Sequence, residues 1–178
     1  MRKDRATRVR RRALGYAAQM KLSESIVGLV VSPAGAALDR FVVRWTGHSV
    51  VSWVFARAAG VEYNAPALVT TIGARSGKRR TVVLPTFAAL DSVCVVGSRG
   101  GAASDPYWAR NLRANPQAWI RANRRLRAVR AHFAQGDERG ALWAAVTEQA
   151  PVYLEYQRRA EPHREIPVII LSDASSPP

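Results

Sequence analysis

The 178-residue chain has a single cysteine, Cys94, set inside the apolar run Val93–Val96. One thiol closes no intrachain disulfide, so a stapled secreted fold is excluded and strand burial is its expected role. A reducing, cytoplasmic setting is expected. Long apolar runs are also missing, since nothing approaches the roughly 20 residues of a spanning helix. Arg11-Arg12 precedes Ala13-Leu14 in the manner of a twin-arginine signal, but Lys21 and Glu24 interrupt the apolar stretch after it. That stretch falls short of the about 7–15 apolar residues of a secretory core. His48, His132 and His163 form no i,i+4 pair and have no neighbouring cysteine, so no metal site is predicted. There is no Gly-x-Ser-x-Gly elbow for a serine nucleophile. Gly-x-Gly-x-x-Gly is absent too, and Gly73 lies one residue too close to Gly77-Lys78 for a Walker A loop.

Acidic residues are scarce: 13 Asp and Glu stand against 27 Lys and Arg, a formal net charge of +14. Such an excess attracts polyanions, whether nucleic acid, anionic lipid or a phosphorylated ligand. The cations cluster in a basic arm, Arg2–Arg12, and again over Arg121–Arg130. The second cluster lacks interleaved aromatics for base stacking and carries no nucleic-acid motif, so no nucleic-acid partner is expected. Leu22, Ile26, Leu29 and Val30 share one face of a helix predicted over residues 13–31. That face either caps the core or lies peripherally on the anionic inner face of the plasma membrane.

Hydrophobic residues make up 48% of the chain, enough for one domain with a sizeable core. A second short helix is predicted over Ala36–Trp45, while Ser49–Ala59 reads equally as helix or strand. Strands are predicted at Leu68–Ile72, Thr81–Leu84 and Ser92–Val96, with a turn at Asp91-Ser92. Asp105-Pro106 opens a helix, Asp as N-cap and Pro in the first turn, which Asn115-Pro116 ends. Trp119–Ala122 and Leu126–Phe133 read as strands joined at Asn123-Arg124, although their imperfect alternation also admits a helix for the second. A helix opens at Gly136-Asp137 and a turn or helix at Pro151, then a closing strand, Ile166–Leu171, before a disordered tail at 172–178. About six short strands without βαβ alternation imply a barrel or sheet decorated by helices.

Chemistry concentrates in two loops. Gly73-Ala74-Arg75-Ser76-Gly77-Lys78-Arg79-Arg80 packs glycines, a hydroxyl and four cations between β-branched runs. Gly97-Ser98-Arg99-Gly100-Gly101 repeats that composition after an apolar strand. Glycine lets backbone N–H groups converge on phosphate oxygens, and arginine supplies charge. Placed at the ends of neighbouring strands, the loops would form an anion cradle.

These residues resemble the signature of the actinobacterial deazaflavin-dependent nitroreductases, which use coenzyme F420. That family carries Thr-Thr-x-Gly-Arg-Lys-Ser-Gly-x-x-Arg, then Ser-Lys/Arg-Gly-Gly, then Asn/Asp-Pro-x-Trp-x-x-Asn-Leu-x-x-Asn-Pro. Here the pieces are Thr70–Arg80, Ser98–Gly101 and Asp105–Pro116, in the same order. The resemblance implies an α+β fold, a split β-barrel of the flavin-mononucleotide-binding kind with flanking helices. Residues 47–171 would form the coenzyme-binding domain, with 1–46 a basic arm and helices. It also implies hydride transfer from reduced F420 to a quinone, nitroaromatic or other conjugated small-molecule acceptor.

Matched by position, Arg75, Ser76, Gly77, Lys78 and Arg80 would bind the coenzyme's phosphate and tail. Ser98, Arg99, Gly100 and Gly101 match the second coenzyme loop, and Trp108 and Asn111 the flanking helix, Trp108 by contact or by packing. Ser98 would hydrogen-bond the ring or the acceptor. Tyr153 and Tyr156 stand where the family places substrate-facing tyrosines, although three apart on a helix they could equally pack against the barrel. Val82, Val83, Val95 and Val96 would wall the ring. Ala74 departs from the family's first cation, and Val82-Val83-Leu84-Pro85 from its Asn-Pro-Leu. Two alternatives keep different partners: the same barrel holding flavin mononucleotide or haem, or a basic nucleic-acid-binding module. Homodimerisation is left open.

Overall fold

The computed structural model describes residues 33–49, 53, 66–123 and 125–174. The basic arm, the helix expected over 13–31 and most of Ser49–Ala59 lie outside them. Among the described residues, four helices and seven strands occur in chain order: α1 (Pro33–Thr46), β1 (Ala67–Ile72), β2 (Arg79–Leu84), β3 (Phe87–Ala89), β4 (Ser92–Val96), α2 (Tyr107–Ala114), β5 (Gln117–Ala122), β6 (Arg125–Phe133), α3 (Gly136–Gln149), α4 (Val152–Ala160) and β7 (Val168–Asp173). One turn of 3-10 helix, Arg99–Gly101, lies between β4 and α2.

The β-branched runs pair into one antiparallel sheet of order β2-β1-β5-β6-β7-β4-β3. The hairpins arise from local chemistry. Ala122 pairs with Arg125, leaving a two-residue link in which Asn123 takes φ 48°, a conformation asparagine tolerates. Ala89 pairs with Ser92, so that hairpin turns at Leu90-Asp91, both at positive φ, one residue earlier than the expected Asp91-Ser92.

Alternation along the strands makes two cores. Val69 of β1, Val95 of β4, Ile120 of β5, Val129 of β6 and Ile169 of β7 are all buried in one cluster. Strands far apart in the sheet order share that cluster because the sheet curls upon itself, giving a split β-barrel of the α+β class. Fully burying each such side chain stabilises by about 1.5–3 kcal/mol. The second cluster lies outside the curl, where α3 and α4 bring Leu142, Val146 and Tyr153 against Phe87, Val96 and Val168. Asp137 and Glu138 occupy the first turn of α3, complementing its dipole.

α1 begins at Pro33, three residues earlier than expected, and packs on β1 and β2. Val43 is buried, and the single O–H of Ser49 donates to the Asp39 carboxylate, its oxygen 2.8–2.9 Å from both carboxylate oxygens. At the other end β7 begins at Val168 and continues to Asp173, where Arg127 clasps the carboxylate at 2.9 Å. Ser172 and Asp173 are therefore strand rather than tail, and the Ala174 N–H donates to Ala128 O at 3.1 Å.

Candidate functional site

The first glycine loop is the β1–β2 hairpin turn. Its Gly73 N–H donates to Lys78 O at 2.9 Å, and the Gly77 N–H to Gly73 O at 2.8 Å. A Cβ at Gly73 would stand 2.7 Å from Ser76 Oγ and 3.2 Å from Lys78 O, so any larger residue requires the turn to give way slightly. Asn111 of α2 fixes the turn from below. Its Oδ1 accepts the Ala74 N–H and its Nδ2 donates to the buried Thr71 hydroxyl, both at 3.0 Å.

The second loop turns sharply through Arg99, Gly100 and Gly101, at φ 47°, 66° and 84°. For Arg99 that conformation is strained, and neighbouring structure must hold it. Much of the holding falls to Arg164. Its guanidinium donates to the carbonyls of Ala102 (2.9 Å), Gly97 (3.1 Å) and Ser98 (2.8 Å), and to Asp105 Oδ1 (2.8 Å). Sequence reasoning missed Arg164, because its acceptors are chiefly backbone carbonyls more than 60 residues upstream and no motif marks them.

Asp105 corrects a second expectation. Pro106, not Asp105, holds the N-cap position of α2, and no side chain caps the helix. The Asp105 carboxylate instead serves Arg164, and Arg113 at 3.5 Å. A largely enclosed guanidinium, held by charge-assisted hydrogen bonds, outcompetes the helix end for that acceptor.

β1 and β4 are not neighbours, contrary to the expectation; β5, β6 and β7 separate them. The two loops nevertheless meet at one cleft of about 770 Å³. Arg75, Ser76 and Arg80 line it from the hairpin, Arg99 from the second turn, and Trp108, Arg110 and Asn111 from α2. Val82 adds an apolar surface.

Four arginines thus face one cavity whose lining contains no carboxylate. Some arginines elsewhere are paired, Arg127 with Asp173, Arg139 with Glu165, Arg158 and Arg159 with Glu155, while Arg79, Arg125 and Arg130 stand on the sheet without a carboxylate partner among the described residues. Among the described residues Arg75, Arg80, Arg99 and Arg110 have no carboxylate partner, and Arg99 donates only to the Ser104 hydroxyl at 2.9 Å. Such concentrated, uncompensated charge fits an anionic ligand. Arg110 was also missed, since it occupies an unspecified position of the helix motif.

Other expected site residues lie apart from this cavity. Gly77 and Lys78 shape the hairpin, and Ser98, Gly100 and Gly101 shape the second turn, without lining the cleft. Gly101 is the seat for α4: a Cβ there would stand 2.7 Å from Tyr156 O and 2.8 Å from Arg159 Cβ. Tyr153 is buried, edge-on to Phe87 at 5.5 Å and to Tyr156 at 5.7 Å. Tyr156 is half-buried, and that burial raises its phenol pKa while Arg159 pulls it down. The spacing of three that suggested a substrate face here builds the second core. Of the four expected wall valines only Val82 lines the cleft; Val95 and Val96 are buried in the two cores.

Curled sheet and cation-lined cleft together define a split-barrel protein built to grip an anionic ligand beside an apolar surface. Residues 51–173 match the family profile described as F420H(2)-dependent quinone reductase. The chain belongs to that family. The Mycobacterium tuberculosis F420H(2)-dependent quinone reductase Rv1261c is 34% identical over 108 residues, covering 59% of this chain and 71% of that protein. Rv3178 of the same organism, provisionally named for the same activity, is 37% identical over 114 residues, 64% of this chain and 94% of its own. The solved structure of an F420-H2 dependent reductase, FDR-A, superposes with a TM-score of 0.54 at 34% identity, covering 60% of this chain and 93% of that one. A structure described as a domain-swapped dimer gives 0.55 at 34% identity, over 64% and 85%.

Proposed function

We propose that this protein is an F420-dependent reductase that holds reduced F420 in the arginine-lined cleft and reduces a quinone. The observation that carries the reading is the set of four guanidiniums without a carboxylate partner, next to the apolar Val82 and Trp108. When bound, the coenzyme supplies a hydride from its deazaflavin ring; the protein's part is placement, charge and exclusion of water. Arg75, Ser76 and Arg80 bind the phosphate in the hairpin turn, and Arg99 adds a cation from the second. Val82 and Trp108 keep water from one side of the cleft. Holding reactants about 3–3.5 Å apart contributes several kcal/mol to the rate by itself. Ser98, which does not line the cleft, we assign to shaping the second turn, and Tyr156, edge-on to Tyr153, to the second core. Tyr153 we assign to packing. Nitroaromatics, also conjugated electrophiles, belong to the same reading.

The test is titration of the purified protein with reduced F420, followed by oxidation on adding menadione. Arg80→Ala and Arg99→Ala each remove a charge-assisted hydrogen bond of about 1.5–3 kcal/mol, so Kd rises tenfold or more while the fold persists. Absence of coenzyme binding at micromolar concentrations sinks the proposal.

A second reading, contact with an anionic membrane surface, is favoured by α1. Leu38, Phe41 and Trp45 stand at i, i+3 and i+7, each more than 60% exposed, beside Arg40 and Arg44. Apolar residues flanked by cations suit the headgroup boundary. Among the described residues no helix is long and apolar enough to cross a membrane.

A further inference from the structure

Arg164 can hold the second glycine turn only if its own main chain stays in place. It follows a three-residue turn, Glu161–His163, that is exposed throughout. Two tethers run to it from α4. The Arg164 N–H donates to Ala160 O at 2.9 Å, and the Arg164 carbonyl accepts from Gln157 Nε2 at 3.3 Å. The other end of the same amide, Gln157 Oε1, accepts the Ile166 N–H at 2.8 Å. Ile166 is fully buried, so without that acceptor its N–H would be left unsatisfied and away from water. Gln157 is itself half-buried, and both ends of its side chain are committed.

From Arg164 the path continues to the cleft. The guanidinium donates to the carbonyls of Gly97 and Ser98 before Arg99 and of Ala102 after it, so it brackets Arg99 on both sides. Of the four arginines that line the cleft, Arg99 alone stands at positive φ and depends on such bracing. An arginine has several rotatable bonds, and its head meets three carbonyls at once only from a fixed main chain. Gln157 does not line the cleft. We infer that Gln157 is a positioning residue for coenzyme binding: its amide clamps the main chain on either side of Glu165, which sets Arg164 and, through it, the aim of Arg99. The inference rests on the reading of the cleft as the F420 site.

A double-mutant cycle with Arg99 separates positioning from plain stability. Gln157→Met keeps the length of the side chain and removes both hydrogen bonds. The Kd for reduced F420 is titrated on the wild type, Gln157→Met, Arg99→Ala, the double variant and Val146→Ala, a cavity-forming change in the second core. Gln157→Met raises Kd about fivefold on its own and has no effect where Arg99 is already alanine, because residues acting through one another are not additive. Val146→Ala lowers the melting temperature and leaves Kd at the wild-type value. An unchanged Kd in Gln157→Met, or the same fold-change in both backgrounds, overturns the inference and leaves Gln157 a residue of stability alone. If Gln157→Met does not fold, Gln157→Glu runs the same cycle, keeping the acceptor for the Ile166 N–H and losing the donor to Arg164. A second readout needs no coenzyme. In the free protein, trypsin cuts after Arg99 severalfold faster, relative to other sites, in Gln157→Met than in the wild type or Val146→Ala, since a released turn opens locally. Equal relative rates overturn the clamp. A wild-type protein that binds no F420 overturns the coenzyme reading instead, and the cleavage rates still decide the role of Gln157.

Discussion

At Gly101 a single missing side chain joins the second loop to α4. Alanine there would meet the Tyr156 carbonyl at 2.7 Å in a backbone at φ 84°. Strain of this kind costs about 1–3 kcal/mol, and the neighbour to be displaced is main chain. Gly101→Ala should therefore lower the melting temperature by roughly 2–4 °C per kcal/mol and weaken coenzyme binding with it. An unchanged melting curve would mean that α4 does not rest on the turn. Cys94 offers a second check. It is fully buried, and burial pushes its thiol from 9.0 up to about 11. The unfolded thiol ionises first, so the stability of the neutral form is complete below pH 9 and is lost as pH rises toward 11. Denaturant unfolding at pH 8 and pH 10 should show a loss of about 1.4 kcal/mol that Cys94→Ala abolishes. The sequence made Arg75, Arg80 and Arg99 readable because their glycines and hydroxyls mark them locally. It left Tyr153 ambiguous, since a helical spacing of three fits a packed face as well as a ligand-facing one.

At the scale of elements, α2 is a strut between the two loops. Asn111 ties it to the hairpin, and Arg113 reaches Asp105, which Arg164 also holds. Asn111 was expected to touch the coenzyme; it lines the cleft, but both ends of its amide are already committed to protein partners. The Arg164 and Asp105 side chains are 11% and 17% exposed. Breaking such a pair from one side costs about 3–5 kcal/mol. Arg164→Met should accordingly reduce unfolding free energy by that amount and loosen Arg99, with Arg164→Lys recovering only part, as measured by urea titration. A loss below about 1 kcal/mol would place the pair among surface bridges. The strands themselves were legible, because β-branched runs between glycine and proline punctuation have few other uses. The start of α2 was not, because Asp105's true partner lies 59 residues downstream.

For the whole molecule, no sequence signal gives the strand order. The two loops lie about twenty residues apart in the chain, which suggested adjacent strands, yet three strands stand between their bases. Only the curl of the sheet, driven by apolar residues that β1, β4, β5, β6 and β7 bury together, brings the cations to one cavity. β7 is the piece that completes the curl. Among the described residues it alone joins β2-β1-β5-β6 to β4-β3 within the sheet, and it follows all the other described strands in the chain. During synthesis, then, the ribosome would deliver two unconnected half-sheets before a vessel for any ligand exists. Nascent chains stalled before Val168 clears the exit tunnel should be cut by trypsin around Arg79-Arg80 whether or not F420 is supplied, and the ligand should begin to protect them only once Asp173 is out.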